Sequence, residues 1–479
     1  MTSNVEIRSD MVSSKHNRSI SGSVTTAARS TARRPDPAIL DGPVLPMLLR
    51  LAAPTILVML AQTGVNVAEA FYVGLLGTPA MAGVAMVFPV FMLMTTMSAG
   101  GLGSGVASAV ARATGAGRQE DVDALVLHAV ALAVLMGAVF TGAMILGGPF
   151  LYRAMGGDGT ALQAALRYSL AVSAGALPLW VVNLLAGALR GHGNVRLPAK
   201  VTLVGALLLV PLSPLLIFGI GPLPGFGIAG AGIAFALYYL GAAAVLLRAL
   251  LDGGGGIVLR RGRLSARLFG DILRVGIPAA YTTVATNLTV ILVTAAFGHF
   301  GIAALAGYGI ASRLDYVLIP LLFGLASAVL TAVGINLGAG RGGRARRIAL
   351  TGAATGFAAT QLIGLVVAVQ PDWWLRLYTD DPAVLAAGWG YLRVIGFAYG
   401  IFGFGFVLSF AGQGAGRLLW PVCGVSSRLL IGAGFGWVAV RDLGVRMPGL
   451  VWVVAASFAT YAALNAIVLL QRTTWHRPD

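Results

Sequence analysis

Ionisable residues are scarce in this chain, and sulfur ligands are scarcer still. Asp, Glu, Lys and Arg together make up 10% of the 479 residues, against about 25% in soluble domains. Cys423 is the single cysteine, so an internal disulfide is excluded. One thiol and five scattered histidines offer no four-ligand metal cluster. The sequence therefore predicts neither a resident metal nor any other cofactor.

What the chain has in abundance is apolar sequence. Hydrophobic residues make up 57% of it, and the apolar runs reach the about 20 residues that cross a bilayer as a helix. Twelve such runs lie near residues 48–72, 84–110, 124–147, 162–187, 197–219, 228–250, 272–297, 307–333, 348–370, 388–412, 419–440 and 448–470. The 66 glycines suit membrane helices, because small residues allow close packing where lipid gives no hydrophobic drive.

The positive residues behind the net charge of +16 are distributed unequally between the two sides of the membrane. With the N-terminus inside, most Lys and Arg fall in residues 1–50, the even-numbered loops and the C-terminal tail. The outer segments hold Arg153, Arg167, Arg376, Arg393, Arg441 and Arg446. This bias follows the positive-inside rule. We therefore expect a multi-pass protein of the inner (plasma) membrane with cytoplasmic termini, the lipid bilayer as its surroundings and no nucleic-acid partner.

The second half of the chain repeats the first about 223 residues later. Gly115-Ala116-Gly117-Arg118 returns as Gly338-Ala339-Gly340-Arg341, and Tyr168 returns as Tyr391. Six runs per copy put both copies in the membrane the same way up. The predicted fold is an all-α membrane protein with twelve transmembrane helices in two pseudo-symmetric six-helix lobes. Its predicted parts are a disordered cytoplasmic tail (1–44), an N-lobe (45–250), a flexible, basic, glycine-rich linker (251–271), a C-lobe (272–471) and a cytoplasmic C-terminal tail (472–479).

Two carboxylates lie inside the predicted spans, Glu69 in the first and Asp315 in the eighth. A charged group at the centre of a span costs about 2.5–3.5 kcal/mol on insertion scales, so such a group usually faces a cavity or a partner. We predict that both couple transport to an ion. Alternatively, Glu69 is a structural acid that pairs with Arg313 or bonds to Asn66, and Arg313 neutralises Asp315.

Polar residues at helical spacing accompany both acids. Gln62, Asn66 and Glu69 are spaced four and then three residues apart, which places them on one helical face. Tyr308, Ser312 and Asp315 repeat the spacing, as do Thr282, Thr286 and Thr289. Such stripes face the bundle interior or water, although threonines also serve as helix-packing groups and Tyr308 can be a packing group. The predicted cavity residues are Gln62, Asn66, Asn183, Thr282, Thr286, Asn287, Tyr308, Ser312 and Arg313.

Prolines occupy equivalent places in the first and seventh spans, at Pro54 and Pro278. A proline inside a helix removes a backbone hydrogen bond and favours a kink. We predict that these two positions act as hinges.

Several sequence motifs, which occur in the same order in both copies, resemble those of the multidrug and toxic compound extrusion (MATE) family. The first copy carries the resemblance in GVNVAEAFYVGLLG (64–77), AMAGVAMVFPV (80–90) and ARATGAGR (111–118). The second carries it in GIPAA (276–280), GIAALAGYGIASRL (301–314) and GINLGAGR (334–341). The resemblance covers nearly everything from Leu45 to Leu470.

The resemblance implies a twelve-helix carrier that exports compounds in exchange for protons or sodium ions. Many members have an acid in the first span, where this chain has Glu69, and an asparagine in the fourth, where it has Asn183. Members with a well-formed ion site tend to carry Asn and Asp in span five, where Leu209 and Ser213 stand here. The second lobe also lacks the family's acids in spans seven and ten. The departures favour a proton as coupling ion, with sodium near Glu69 and Asn183 as the alternative.

The predicted function is therefore a cation-coupled antiporter, not an enzyme, that exports small lipophilic or cationic compounds and acts as a monomer. A flippase for lipid-linked saccharides is the alternative within transport, although Arg313 and Arg428 are the only cations well inside spans to hold a pyrophosphate. A membrane-embedded lipid-modifying enzyme would need a nucleophile with its base or clustered acids and histidines, and the two isolated acids do not supply them.

Overall fold

The computed structural model describes residues 36–220, 223–471 and 474–475. The predicted N-terminal tail therefore lies outside the described residues as far as residue 35. Of the predicted C-terminal tail, only residues 474 and 475 are described.

Twelve long helices, each apolar enough to cross a membrane, make up most of the described chain. They confirm the predicted fold class, and each extends beyond the apolar run that predicted it or ends within a residue or two of it. Spans 1 to 12 are Val44–Gly74, Thr78–Gly115, Gln119–Ala154, Gly159–Gly191, Arg196–Phe218, Ile228–Leu251, Ala266–Gly298, Ile302–Gly338, Gly342–Val369, Pro382–Gly414, Leu419–Arg441 and Met447–Leu470. Short helices form at Pro37–Asp41 and Asp372–Leu375, and two-residue strands pair at Gly219–Ile220 and Leu223–Pro224.

Three spans are irregular within their length. Span 2 contains a π-helical segment, Met97–Leu102, and span 11 contains another, Leu429–Phe435. Both segments are rich in glycine, which weakens the α-helical preference. Span 8 is interrupted between Ile302–Ser312 and Asp315–Gly338. The break falls within the predicted stripe of Tyr308, Ser312 and Asp315, and Tyr308 and Asp315 stay within electrostatic range of each other across it.

The proline positions are not breaks. Spans 1 and 7 continue as α-helix through Pro54 and Pro278. A hinge role for either residue stays a prediction.

Each lobe has its own apolar core. One large cluster of buried side chains lies mainly among spans 2, 3, 4 and 6, and another mainly among spans 8, 9, 10 and 12. Spans 4, 8 and 10 are the most deeply buried of the twelve. The other spans keep apolar side chains on the outside, as helices facing lipid do.

The two lobes meet on the membrane face where spans 1 and 12 have their terminal ends. There span 2 crosses span 8 so closely that a Cβ added to Gly115 would overlap the carbonyl oxygen of Ile335. A Cβ added to Gly338 would overlap the carbonyl oxygen of Arg112 in the same way. At the opposite face, the outer half of span 8 packs within the C-lobe. The lobes thus meet closely on the terminal face, whereas the outer half of span 8 contacts its own lobe.

The helical turn Pro37–Asp41 lies across the closed face, within the segment predicted as a disordered tail. Asn336 Nδ2 and Arg344 Nε of the C-lobe donate to the Ile39 carbonyl oxygen at 3.2 and 3.3 Å. The Ile39 side chain also approaches Gly193 of the N-lobe. Residues 36–44 of the segment predicted as a tail therefore have a described structure.

The predicted linker is held against the N-lobe. Asp123 Oδ1 accepts from the backbone N–H of Val258 at 3.0 Å, and His128 Nε2 accepts from that of Ser265 at 2.8 Å. Span 7 begins at Ala266, five residues before the predicted linker ends. The linker segment between the helices is therefore shorter and better anchored than its glycines indicated.

Candidate functional site

A cavity of about 190 Å³ lies inside the N-lobe, between spans 1, 2, 4, 5 and 6. It contains the acidic stripe of span 1 on one wall and aromatic rings on the others. Its lining consists of Gln62, Val65, Asn66, Glu69, Ala70, Val73, Val84, Phe88, Phe91, Met92, Thr95, Tyr168, Ala206, Leu209, Ala231, Phe235, Tyr238 and Tyr239. Glu69 is the only carboxylate among these residues, so the cavity carries at most one negative charge.

No cation neutralises Glu69 within the described part of the chain. Its Oε1 atom is buried without a hydrogen bond, and among the described residues no salt bridge reaches its carboxylate. The Ser213 hydroxyl of span 5 lies beside it, although Ser213 Oγ also lacks a hydrogen bond of standard geometry. The predicted pairings of Glu69 with Arg313 and with Asn66 are both wrong. A carboxylate left in this condition is available to a ligand or a proton.

Aromatic side chains form the walls that face Glu69. Phe91 and Phe235 meet edge to face at 5.1 Å between ring centroids, and Phe235 packs against Tyr239 at 4.7 Å. Tyr168 lies within electrostatic range of the carboxylate. Aromatic faces attract cations and stack on flat apolar groups. The cavity therefore suits a small aromatic or lipophilic cation.

Of the nine predicted cavity residues, Gln62 and Asn66 join Glu69 in the cavity wall, and the other seven lie outside its lining. Gln62 and Asn66 lie on the same face of span 1, as their spacing indicates. Asn183 instead donates from Nδ2 to the Ser98 hydroxyl at 2.8 Å and is not among the lining residues. The predicted sodium position between Glu69 and Asn183 is thus not assembled.

The predicted threonine stripe satisfies its hydroxyl groups within its own helix. Thr282 Oγ1 donates to the Ala279 carbonyl oxygen, and Thr286 Oγ1 to that of Thr282, each at 2.7 Å. Asn287 Nδ2 donates to the Thr283 carbonyl oxygen at 2.9 Å. This bonding is typical of residues that pack one helix against another. It gives no support to the predicted role of these residues in substrate binding.

Span 8 places its predicted polar residues in two directions. Ser312 Oγ donates to the Gly309 carbonyl oxygen at 3.2 Å. The exposed Arg313 lies over the ring of Tyr378 at 5.2 Å, outside the cavity. Among the described residues no salt bridge joins Arg313 to Asp315, so the prediction that Arg313 neutralises this acid is wrong.

Asp315 belongs to a polar cluster inside the C-lobe that sequence reasoning missed. Its carboxylate lies beside the Tyr399 hydroxyl and within electrostatic range of Arg428. Tyr308 stacks on Phe297 at 4.3 Å and meets Tyr391 edge to face at 5.2 Å. The internal repeat held a signal for this cluster, because Tyr391 is the counterpart of the cavity residue Tyr168.

Comparison with known proteins gives one family match in each lobe. The MatE family model matches residues 54–215 and 278–438, one match in each lobe and together more than half of the chain. The protein described as "FAD transporter" from Shewanella oneidensis is 28% identical over 383 residues, which cover 76% of this chain and 81% of that protein. A "Probable multidrug resistance protein NorM" from Deinococcus radiodurans is 29% identical over 373 residues, covering 75% and 80%.

A solved structure agrees with the arrangement of the lobes. The structure described as "Outward-facing conformation of a multidrug resistance MATE family transporter of the MOP superfamily" superposes with a TM-score of 0.81 at 25% identity. The match covers 89% of this chain and 95% of that one.

Proposed function

Because this chain belongs to the MatE family of multidrug and toxic compound extrusion transporters, we propose that it exports small aromatic or lipophilic cations in exchange for protons. The observation that carries this proposal is the Glu69 carboxylate, buried at Oε1 without a hydrogen bond, in the wall of an aromatic N-lobe cavity. We further place both termini in the cytoplasm of a plasma-membrane protein acting as a monomer, so the face on which the lobes meet closely is cytoplasmic.

Exchange follows from the two protonation states of one carboxylate. A deprotonated Glu69 attracts a cation in the cavity, and a proton taken from the acidic side removes that attraction, so the cation leaves. One proton exchanged for one monovalent cation is electroneutral, and one pH unit then supplies about 1.4 kcal/mol. With two protons per cation, the membrane potential adds about 2.3 kcal/mol per 100 mV.

The donor set around Glu69 supports a proton over sodium. A bare metal cation needs several oxygen ligands to replace its water, and this site has one carboxylate with Ser213, Gln62 and Asn66 as neutral neighbours. A proton needs only the carboxylate. Asn183, which bonds to Ser98 outside the cavity lining, does not add an oxygen ligand to this site.

A second carboxylate beside Glu69 should bring in sodium coupling. In Ser213→Asp we expect transport driven by a sodium gradient to rise at least about tenfold, because an added charge within a few ångströms contributes several kcal/mol to cation binding. Ser213→Ala is the size-matched control and should keep proton-driven transport. The measurement is dye efflux from proteoliposomes with either gradient imposed alone. Unchanged sodium response in Ser213→Asp would contradict this view of the site.

The direct test of the function is a reconstitution. The purified protein is placed in liposomes in sodium-free buffer, a pH gradient is imposed, and movement of a fluorescent lipophilic cation is followed. Transport that requires the pH gradient supports the proposal. Transport that appears only with a sodium gradient would identify sodium as the coupling ion. Transport of labelled lipid-linked saccharide, without transport of the dye, would show that the proposed substrate class is wrong.

A further inference from the structure

The C-lobe repeats the aromatic frame of the N-lobe cavity. Tyr168, Phe235 and Tyr238, which line that cavity, return in the second copy as Tyr391, Phe458 and Tyr461. All three second-copy rings are buried inside the C-lobe. The two lobes therefore contain related aromatic clusters, and the N-lobe cluster lines a cavity in which Glu69 is the one carboxylate.

The C-lobe cluster includes a cation, Arg428, at a position where the N-lobe repeat has a glycine. Arg428 ends the first α-helical part of span 11, directly before the π-helical segment. Its guanidinium carbon lies 4.9 Å from the ring centroids of both Phe402 and Phe458. Two aromatic faces thus fix the plane and position of the charge. The repeat places Gly205 at the matching position of span 5.

Arg428 lacks the partners that a cation inside a membrane normally has. Its Nε is buried without a hydrogen bond, and within the described residues no carboxylate comes within the 4.0 Å of a salt bridge. Its side chain is only half-buried, so part of the guanidinium stays accessible. An intramembrane arginine is costly unless something compensates it, and its fork of N–H donors matches the two oxygens of a carboxylate or phosphate.

The charged and titratable groups around Arg428 give its guanidinium no salt bridge within the part of the chain that the structure describes. Asp315 of span 8 lies within electrostatic range of it and beside Tyr399 of span 10. Tyr308, Tyr391 and Tyr461 complete the neighbours from spans 8, 10 and 12. The other cation of span 8, Arg313, lies over Tyr378 at 5.2 Å and is exposed. Asp315 therefore competes with an incoming anion without capping the guanidinium.

We propose that Arg428 binds an oxyanion group, a carboxylate or phosphate, of aromatic substrates at the C-lobe aromatic cluster. This inference rests on the proposed transport function and extends its substrate class from cations to aromatic compounds that carry an acidic group. The ring frame of Phe402 and Phe458 holds the guanidinium, and an aromatic substrate supplies both a flat surface and the missing anion.

A matched dye pair tests the inference. Rhodamine B carries a free carboxylate, and its ethyl ester has the same cationic ring system without it. Binding of each dye to the purified protein in nanodiscs is measured by fluorescence anisotropy. We expect Arg428→Gln to weaken rhodamine B binding about tenfold or more, as for loss of a charge-assisted hydrogen bond, and to leave the ester nearly unchanged. Arg428→Lys should restore part of the loss.

The direction in which a second variant changes dye binding distinguishes a binding role of Arg428 from a structural one. Asp315→Asn removes the competing negative charge and should strengthen rhodamine B binding without affecting the ester. If both variants weaken both dyes equally, Asp315 and Arg428 are a structural pair and the inference is wrong. It is equally wrong if Arg428→Gln changes neither dye. The liposome assay with the ester tests the proposed function separately, because the ester does not need Arg428.

Discussion

Replacing Glu69 by Gln is expected to reduce transport driven by a pH gradient to the rate of protein-free liposomes. The amide has nearly the same shape and keeps the packing of the cavity wall, but it neither binds a proton at physiological pH nor attracts a cation. Glu69 is the only carboxylate in the N-lobe cavity, so among the lining residues no other acid can take over. The measurement is efflux of a fluorescent lipophilic cation in sodium-free buffer.

Two matched variants make that result interpretable. Glu69→Asp keeps the carboxylate that many family members have there and should retain transport. Glu120→Gln removes an acid from the exposed start of span 3 and should behave like the wild type. If Glu69→Gln transports as fast as Glu120→Gln, the coupling carboxylate lies elsewhere, and Asp315 in the C-lobe becomes the group to replace next.

The parts of this site that could be predicted are those fixed within one helix. The spacing of Gln62, Asn66 and Glu69 determines their common face whatever surrounds the helix. The number of spans and the two lobes follow from apolar length and from the repeat, which are also properties of the chain alone. Local periodicity was therefore enough for the fold and for one wall of the cavity.

The parts that failed depend on contacts between helices. Residues two apart on a helix do not face each other, so Arg313 lies over Tyr378 while Asp315 lies beside Tyr399 and near Arg428. Helical spacing therefore excludes Arg313 as the partner of Asp315, but it does not show which other spans supply the neighbouring groups. Those neighbours are set by the packing of spans 8, 10 and 11.

Gly115→Ala is expected to prevent the lobes from closing on the terminal face. In an isolated helix this change is favourable by about 1 kcal/mol, yet here the new methyl group would overlap the backbone carbonyl of Ile335. Backbone atoms of two packed helices cannot move aside as a flexible side chain can. Spans 2 and 8 must therefore separate, and the closed arrangement is lost. Transport should fall with it, because exchange across a membrane requires each face to close in turn.

A distance across the closed face measures this directly. Spin labels on Glu120→Cys and Gly343→Cys, with the native thiol removed as Cys423→Ser, report the separation of the lobes. Gly115→Ala should shift the distance distribution to longer values, and Gly338→Ala, which meets the carbonyl of Arg112, should do the same. Gly142→Ala in span 3 has no atom within 4 Å of the added carbon and should leave the distances unchanged. If Gly115→Ala matches this control, the glycine crossing is not what closes the face, and the hydrogen bonds that bridge the lobes there, such as Thr331 Oγ1 to the Arg190 carbonyl oxygen at 3.1 Å, become the candidates.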